Sequence, residues 1–142
     1  MNLVKKQSSA VLILLVCLSG FLAVAIGAFG AHGLKKIVSP ELMVIFETGN
    51  RYHFYHTLAA LVAFLFLQQS LSLESANKSK TYLKAAVWFF LLGILIFSFS
   101  LYVLAITGIR ILGAITPIGG VSFLVGWISL GIGSYYFLVP KK

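Results

Sequence analysis

Residues 47–56 bring a carboxylate, a guanidinium and two imidazoles to the mouth of a long apolar run. If Glu47 and Arg51 share a helix, their spacing of four puts them on one face, where opposite charges can pair. This spacing allows two interpretations of Arg51. It either forms a structural ion pair with Glu47 or contacts an anion or a lipid headgroup.

Three histidines are candidate metal ligands. His53 and His56 lie three residues apart, and His32 closes the preceding apolar run, so the three could offer nitrogens to zinc, copper or a haem iron. The His-x-x-His pair is a weak motif, and the chain contains no aspartate. The alternatives are hydrogen bonds from these imidazoles to carbonyls and hydroxyls, or a pH-sensing role. We therefore predict no cofactor, with metal or haem binding as the alternative.

No motif assembles a hydrolytic site, which requires a nucleophile, a base and an oxyanion-binding group. Ser98 or Ser100 could be paired with His56, but the spacing does not position them. Gly119 and Gly120 follow no predicted strand, which argues against a phosphate-binding loop. A non-enzymatic protein is the favoured prediction.

The elements that must position these residues are membrane spans. Of 142 residues, 60% are hydrophobic and 10% charged, and the mean hydropathy of +1.02 requires lipid rather than water around the chain. Four apolar runs can cross a hydrocarbon core of about 30 Å, namely 10–31, 53–71, 83–107 and 117–139. They leave too few residues for a second, soluble core. The sequence thus predicts one all-α transmembrane domain over residues 1–142, with the lipid bilayer as partner and no nucleic acid.

Residues 40–48 are predicted to form a short interfacial helix between the first two spans. Ser39 can cap it, Pro40 suits its first position, and an apolar stripe follows. Gly49 and Asn50 would break this helix before the second span. A helix that continues through Gly49 is the alternative.

Small residues recur on one face of several spans, which lets helix backbones approach closely. This pattern predicts that the first span packs inside a four-helix bundle. In the third span small residues recur every seven positions and include Ser100, a spacing typical of a left-handed bundle. The glycines predicted to lie at helix contacts are Gly20, Gly27, Gly93, Gly119, Gly126 and Gly133.

The basic residues lie in short connections, where they indicate topology. Seven lysines share the side of the two termini and the 70–82 connection, namely Lys5, Lys6, Lys78, Lys80, Lys84, Lys141 and Lys142. Four cations lie on the other side, namely Lys35, Lys36, Arg51 and Arg110. The excess predicts a multi-pass membrane protein with both termini in the cytoplasm. The first apolar run is longer than that of a signal peptide, so we expect it to be retained.

Four spans make the polar residues converge at the extracytoplasmic end. Ionisable residues at membrane depth are costly and often mark function. The candidate polar cluster for ligand binding comprises His32, Glu47, Arg51, His53, His56, Ser100, Tyr102 and Thr116.

Four motifs occur in order along the chain: Gly-Ala-Phe-Gly-Ala-His-Gly at 27–33, Phe-Glu-Thr-Gly-Asn-Arg-Tyr-His at 46–53, Leu-Ala-Ile-Thr-Gly at 104–108 and Ile-Thr-Pro-Ile-Gly-Gly at 115–120. Together they resemble a family of small bacterial membrane proteins, the YgdD/YwdK-like domain of unknown function 423, to which the animal transmembrane protein 256 is similar. The resemblance implies a four-span helical membrane protein of unassigned function and transfers no catalytic residues.

The leading prediction is a non-enzymatic inner-membrane protein whose extracytoplasmic polar cavity binds a lipid headgroup, a small molecule or a partner subunit. One alternative is a redox protein that binds metal or haem through His32, His53 and His56. Another is a carrier or channel, which requires a homo-oligomer because four spans are few for alternating access. Membership of a larger membrane complex is also compatible with the sequence.

Overall fold

The computed structural model describes residues 3–71 and 77–139, and this part of the chain is almost entirely helical. The elements in order are α1 (Leu3–His32), a 3-10 turn (Leu34–Lys36), α2 (Pro40–Leu71), α3 (Asn77–Gly93), a π-helical turn (Ile94–Ser98), α4 (Phe99–Thr107), a second 3-10 turn (Arg110–Ala114) and α5 (Thr116–Leu138). Because α3, the π turn and α4 form one rod, four rods in the described residues are long and apolar enough to cross a membrane. The prediction of an all-α protein with four membrane-length helices is confirmed.

The rods alternate in direction, so the bundle has two ends. We call the end with residues 33–39 and 108–115 the upper end, and the end where α1 begins and α5 ends the lower end. Of the lysines used to predict topology, Lys141 and Lys142 lie outside the described residues, as do the side chains of Lys5 and Lys6.

α2 is the central helix of the bundle. α1 packs chiefly against α2, whereas α5 packs chiefly against the α3–α4 rod. α1 therefore lies at the edge of the bundle, and its outward face presents large apolar side chains such as Leu14, Leu18 and Phe21. The first span packs in the bundle, where Leu12 and Val16 join the core, and its main contact is with α2 alone.

Residues 40–48 are helical, but they do not form a separate interfacial helix. They are the first turns of α2, which continues without a break to Leu71. The predicted cap is present, since Ser39 Oγ accepts a hydrogen bond of 3.4 Å from the Leu42 N–H. The alternative of a continuous helix is the one the chain adopts.

Gly49 and Asn50 do not break α2, because tertiary contacts hold both in the helix. A Cβ at Gly49 would lie 3.1 Å from the Leu101 Cβ and 3.2 Å from the Ser98 carbonyl oxygen, so the missing side chain lets α2 approach the α3–α4 rod. The Asn50 amide bonds to α1 and α4 and does not compete for the backbone of its own helix.

The α5 glycines fix an antiparallel register against the α3–α4 rod. Opposing pairs recur every seven residues, as Gly133 with Leu83, Gly126 with Phe90 and Gly119 with Phe97. A Cβ on Gly126 would lie 2.7 Å from the Phe90 ring, closer than side chains pack. The bulky residues of the rod therefore occupy the space that glycine leaves. Likewise Gly93 faces Phe123, while on α1 Gly20 faces Thr57 and Gly27 faces Asn50.

Two apolar clusters fill the bundle at different heights. The larger one joins α1, α2, α3 and α5 around Phe64, Phe90 and Phe123. The smaller one lies at the upper end around Phe46 and Leu34. Along α2 the polar residues His53, His56 and Thr57 fall between these clusters, so a buried polar layer separates them.

Candidate functional site

The eight residues predicted to form one polar cluster fall into separate groups. His53 and Tyr102 belong to a buried network, His56 packs on α5, Ser100 pairs with Thr116, Glu47 and Arg51 line a groove, and His32 is exposed at the end of α1. The network and the groove are the two arrangements whose polar atoms could take part in binding or in a reaction.

The buried network is a chain of hydrogen bonds through α1, α2 and α4. Asn50 Nδ2 lies 2.8 Å from the Ala23 carbonyl oxygen and 3.2 Å from the Tyr102 hydroxyl. Tyr102 lies 3.1 Å from His53 Nδ1, and His53 Nε2 lies 3.1 Å from Ser19 Oγ. Ser19 Oγ is in turn 2.7 Å from Thr57 Oγ1.

Hydrogen-bonding capacity gives this chain one favoured direction. The Ala23 carbonyl only accepts, so the Asn50 atom beside it is the amide nitrogen, which donates to Tyr102 as well. If Tyr102 then donates to His53 Nδ1, His53 is the neutral Nε2–H tautomer and donates to Ser19, which donates to Thr57. The opposite direction would leave the Tyr102 hydroxyl proton without an acceptor in this network.

The network stabilises the contact between three helices, and its members His53 and Tyr102 are closed to ligands. His53 is fully buried, and Tyr102 is only 4% exposed. Both imidazole nitrogens of His53 are already in hydrogen bonds. A hydrogen-bonded polar chain in a medium of low dielectric constant holds its members in one geometry.

Sequence reasoning missed Ser19, Asn50 and Thr57 as members of this network. A signal was present, because Ser19 interrupts the middle of the first apolar run and Thr57 lies four residues after His53. A hydroxyl in the middle of a membrane span needs a partner. Asn50 was interpreted as a helix breaker, an interpretation that its bonds to α1 and α4 replace.

His56 points to α5 rather than toward His53. Its Nδ1 donates to the Tyr52 carbonyl oxygen at 2.8 Å, and its Nε2 accepts a hydrogen bond of 3.3 Å from Trp127 Nε1, which is a donor only. The ring stacks on Phe123 with centroids 3.5 Å apart. His56 is therefore the neutral Nδ1–H tautomer, with both nitrogens used in packing.

The three histidines do not meet. Among residues 3–71 and 77–139, no group of three or more His, Cys, Asp or Glu side chains could hold a metal ion. Since His53 faces α1 and α4 while His56 faces α5, the spacing of three that suggested a shared metal places them in different helix interfaces.

Ser100 and Thr116 join the α3–α4 rod to the start of α5. Ser100 Oγ lies 2.9 Å from Thr116 Oγ1 and donates to the Phe97 carbonyl oxygen at 2.8 Å. Thr116 is the first residue of α5, and its side chain does not cap that helix. Because the Ser100 proton goes to Phe97, the Thr116 hydroxyl is the donor in the 2.9 Å bond to Ser100, and its 3.3 Å contact with the Leu112 carbonyl oxygen is the longer alternative.

A groove of about 370 Å³ lies between α1 and α2 near the upper end. We call it the α1–α2 groove, and its lining residues are Gly27, Ala31, Met43, Phe46, Glu47, Asn50, Arg51, Phe54 and Tyr55. Glu47 and Arg51 are exposed, and within the described part of the chain they do not pair with each other. The predicted structural ion pair is therefore absent, although both side chains lie on one helix face.

The length and composition of α2 predict that the α1–α2 groove lies at the level of lipid headgroups. α2 has 32 residues and a length of about 48 Å, roughly 18 Å more than the hydrocarbon core. Polar residues 68–70 mark the lower boundary of its apolar run. Counting about 20 residues upward from there places the upper boundary near Asn50 and Arg51, so the apolar side chains Phe54 and Tyr55 fall below it.

Comparison with known proteins agrees with this architecture. The model of a family described as "Protein of unknown function (DUF423)" matches residues 26–120. The chain belongs to this family. The predicted resemblance is confirmed, and the matched segment of this DUF423 protein contains the whole α1–α2 groove.

Its relatives are membrane proteins of similar length. The chain is 41% identical to the UPF0382 membrane protein YwdK of Bacillus subtilis over 128 residues, which cover 90% of this chain and 98% of that protein. It is 43% identical to a UPF0382 membrane protein of Haemophilus influenzae over 121 residues, 85% and 90% of the two chains. It is 37% identical to the UPF0382 inner membrane protein YgdD of Escherichia coli over 134 residues, 90% and 92% of the two chains. No solved structure matches the chain.

Proposed function

We propose that this membrane protein is non-enzymatic and binds a phospholipid in the α1–α2 groove, with Arg51 contacting the headgroup phosphate. The observation that carries the proposal is the division of the groove. Its charged residues Glu47 and Arg51 lie at headgroup level, while Phe54 and Tyr55 continue downward beside the acyl chains. This order matches the two chemical parts of a phospholipid. The other large lining residues, Met43 and Phe46, lie above Glu47 and are buried in the upper apolar cluster.

Arg51 is suited to a phosphate because its guanidinium has no partner among the described residues. A guanidinium binds phosphate through two parallel N–H bonds, which are stronger than bonds between neutral groups. No histidine, serine or cysteine lines the groove, so the chemistry that its walls offer is recognition rather than acyl or phosphoryl transfer.

The binding experiment compares wild-type protein with Arg51→Gln by native mass spectrometry after extraction in mild detergent. We expect wild-type protein to retain one phospholipid and Arg51→Gln to retain at least about tenfold less, the equivalent of one charge-assisted bond. Arg110→Gln is the matched control, since Arg110 is also exposed at the upper end but lies outside this groove. Equal losses of phospholipid in both variants would show that the lipid is held by general charge attraction, and this result would contradict the proposal.

We also propose that the upper end faces the extracytoplasmic side and both termini face the cytoplasm. Lys78, Lys80 and Lys84 near the start of α3 support this orientation, and Lys35 and Lys36 at the upper end oppose it. In a Cys17→Ala background, a membrane-impermeant maleimide should label Lys36→Cys in intact cells. A cysteine appended after Lys142 should react only after the membrane is broken, and the reverse pattern would invert the orientation.

A further inference from the structure

We infer that the α1–α2 groove selects a headgroup that carries a primary ammonium beside its phosphate, as in an ethanolamine phospholipid. The inference rests on the proposed lipid-binding function and identifies the lipid class. It follows from three of the polar groups that the groove presents, which are two acceptors and one cationic donor. The lining also includes the Tyr55 hydroxyl, which can donate or accept.

The first acceptor is Asn50 Oδ1. Both amide hydrogens of Asn50 point into the protein, toward the Ala23 carbonyl oxygen and the Tyr102 hydroxyl. Because a carbonyl oxygen can only accept, this arrangement fixes which end of the amide is the oxygen. Oδ1 accepts no hydrogen bond from the residues that the structure describes.

Gly27 leaves room for this oxygen at the contact between α1 and α2. A Cβ at Gly27 would lie 2.8 Å from Asn50 Oδ1, so any larger residue there would crowd the atom. Both residues line the groove. The buried network therefore orients Asn50, and the missing side chain at Gly27 lets its carbonyl oxygen lie at the wall of the groove.

The second acceptor is the Glu47 carboxylate, and the cationic donor is Arg51. Positions 47, 50 and 51 are separated by three and four residues, which places all three side chains on one face of α2. Glu47 and Arg51 are not paired with each other, so each is available to a ligand charge. One headgroup that satisfies all three groups is a zwitterion whose phosphate meets Arg51 and whose N–H groups meet Glu47 and Asn50.

Competing headgroups satisfy fewer of these groups. A choline headgroup has the same charges, but its trimethylated nitrogen has no N–H to donate to Asn50 Oδ1 or Glu47. The hydroxyls of a glycerol headgroup can donate to Asn50 Oδ1, but this headgroup has a net negative charge and supplies no cation for Glu47. The expected order of binding among these headgroups therefore depends on the number of N–H donors rather than on net charge alone.

The experiment uses a methylation series with identical acyl chains: phosphatidylethanolamine, its N-methyl and N,N-dimethyl derivatives, and phosphatidylcholine. Equimolar mixtures, with phosphatidylglycerol added, are incorporated into nanodiscs with the full-length protein, and retained lipid is counted by native mass spectrometry. We expect retention to fall stepwise along the series, by at least about tenfold in total, because bonds to charged groups are strong. In Glu47→Gln, we expect the retention of the four lipids in the methylation series to differ less.

The outcomes separate the two proposals. In one outcome, wild-type protein retains phosphatidylcholine or phosphatidylglycerol as well as phosphatidylethanolamine, and Arg51→Gln retains none of the three. The lipid-binding function then stands, and the ammonium selectivity is overturned. If wild-type protein and Arg51→Gln retain equal amounts of every lipid, the function itself fails. Lys36→Gln controls for the general loss of charge at the upper end, since Lys36 does not line the groove.

Discussion

Gly119→Ala should lower the stability of the protein, whereas Gly131→Ala on the same helix should leave it unchanged or raise it. A Cβ at Gly119 would lie 2.7 Å from the Phe97 Cβ and would also press on the Phe97 backbone nitrogen. A backbone atom cannot rotate away, so α5 and the α3–α4 rod must separate. Overpacking of this kind costs about 1–3 kcal/mol. At Gly131 nothing lies within 4 Å of the added atom.

The two substitutions are expected to change the stability of the protein differently, so Gly131→Ala serves as the control for Gly119→Ala. Glycine to alanine in a helix interior contributes up to about 1 kcal/mol of helix propensity in both variants. The net fall in the free energy of unfolding expected for Gly119→Ala is therefore up to about 2 kcal/mol when the full gain applies, and the Tm in detergent should drop by up to several degrees. Thermal unfolding followed by circular dichroism measures both variants. A rise in the Tm of Gly119→Ala would show that the two backbones do not touch there.

Tyr102→Phe should destabilise the protein by about 2 kcal/mol, far more than its single lost hydroxyl would cost at the surface. The substitution leaves His53 Nδ1 without a donor and one Asn50 N–H without its acceptor, and both groups lie between packed helices. Hydrogen bonds between membrane helices average only about 0.6 kcal/mol. The larger value expected here comes from the two buried groups left unpaired.

A double-mutant cycle with His53→Leu tests whether these residues act as one network. Each single variant leaves a buried partner unpaired, so the double variant should lose about 1 kcal/mol less than the two single losses added together. Tyr135→Phe removes the same hydroxyl from an exposed position and should stay within about 0.5 kcal/mol of wild type. Additive losses in the cycle would mean that Tyr102 and His53 stabilise the bundle independently.

Local patterns in the chain predicted the helical architecture because they report the medium around each residue. Runs of about 20 apolar residues require lipid, and residue spacing on a helix needs no knowledge of neighbouring helices. For this reason the four spans, the capped start of α2 at Pro40 and the glycine face of α5 could be identified from the chain itself. Composition alone was also enough to identify residues 47–56 as chemically distinctive.

Which residues share a site was decided by the tertiary structure. His53 and His56 are three positions apart, yet their rings enter different helix interfaces, because a three-residue step on a helix still turns the side chain by about 60°. Asn50 changed from a predicted helix breaker to an orienting residue because α1 and α4 supply its partners. Spacing along one helix cannot show what faces it, so the sequence determined the membrane architecture while packing between helices determined the groove.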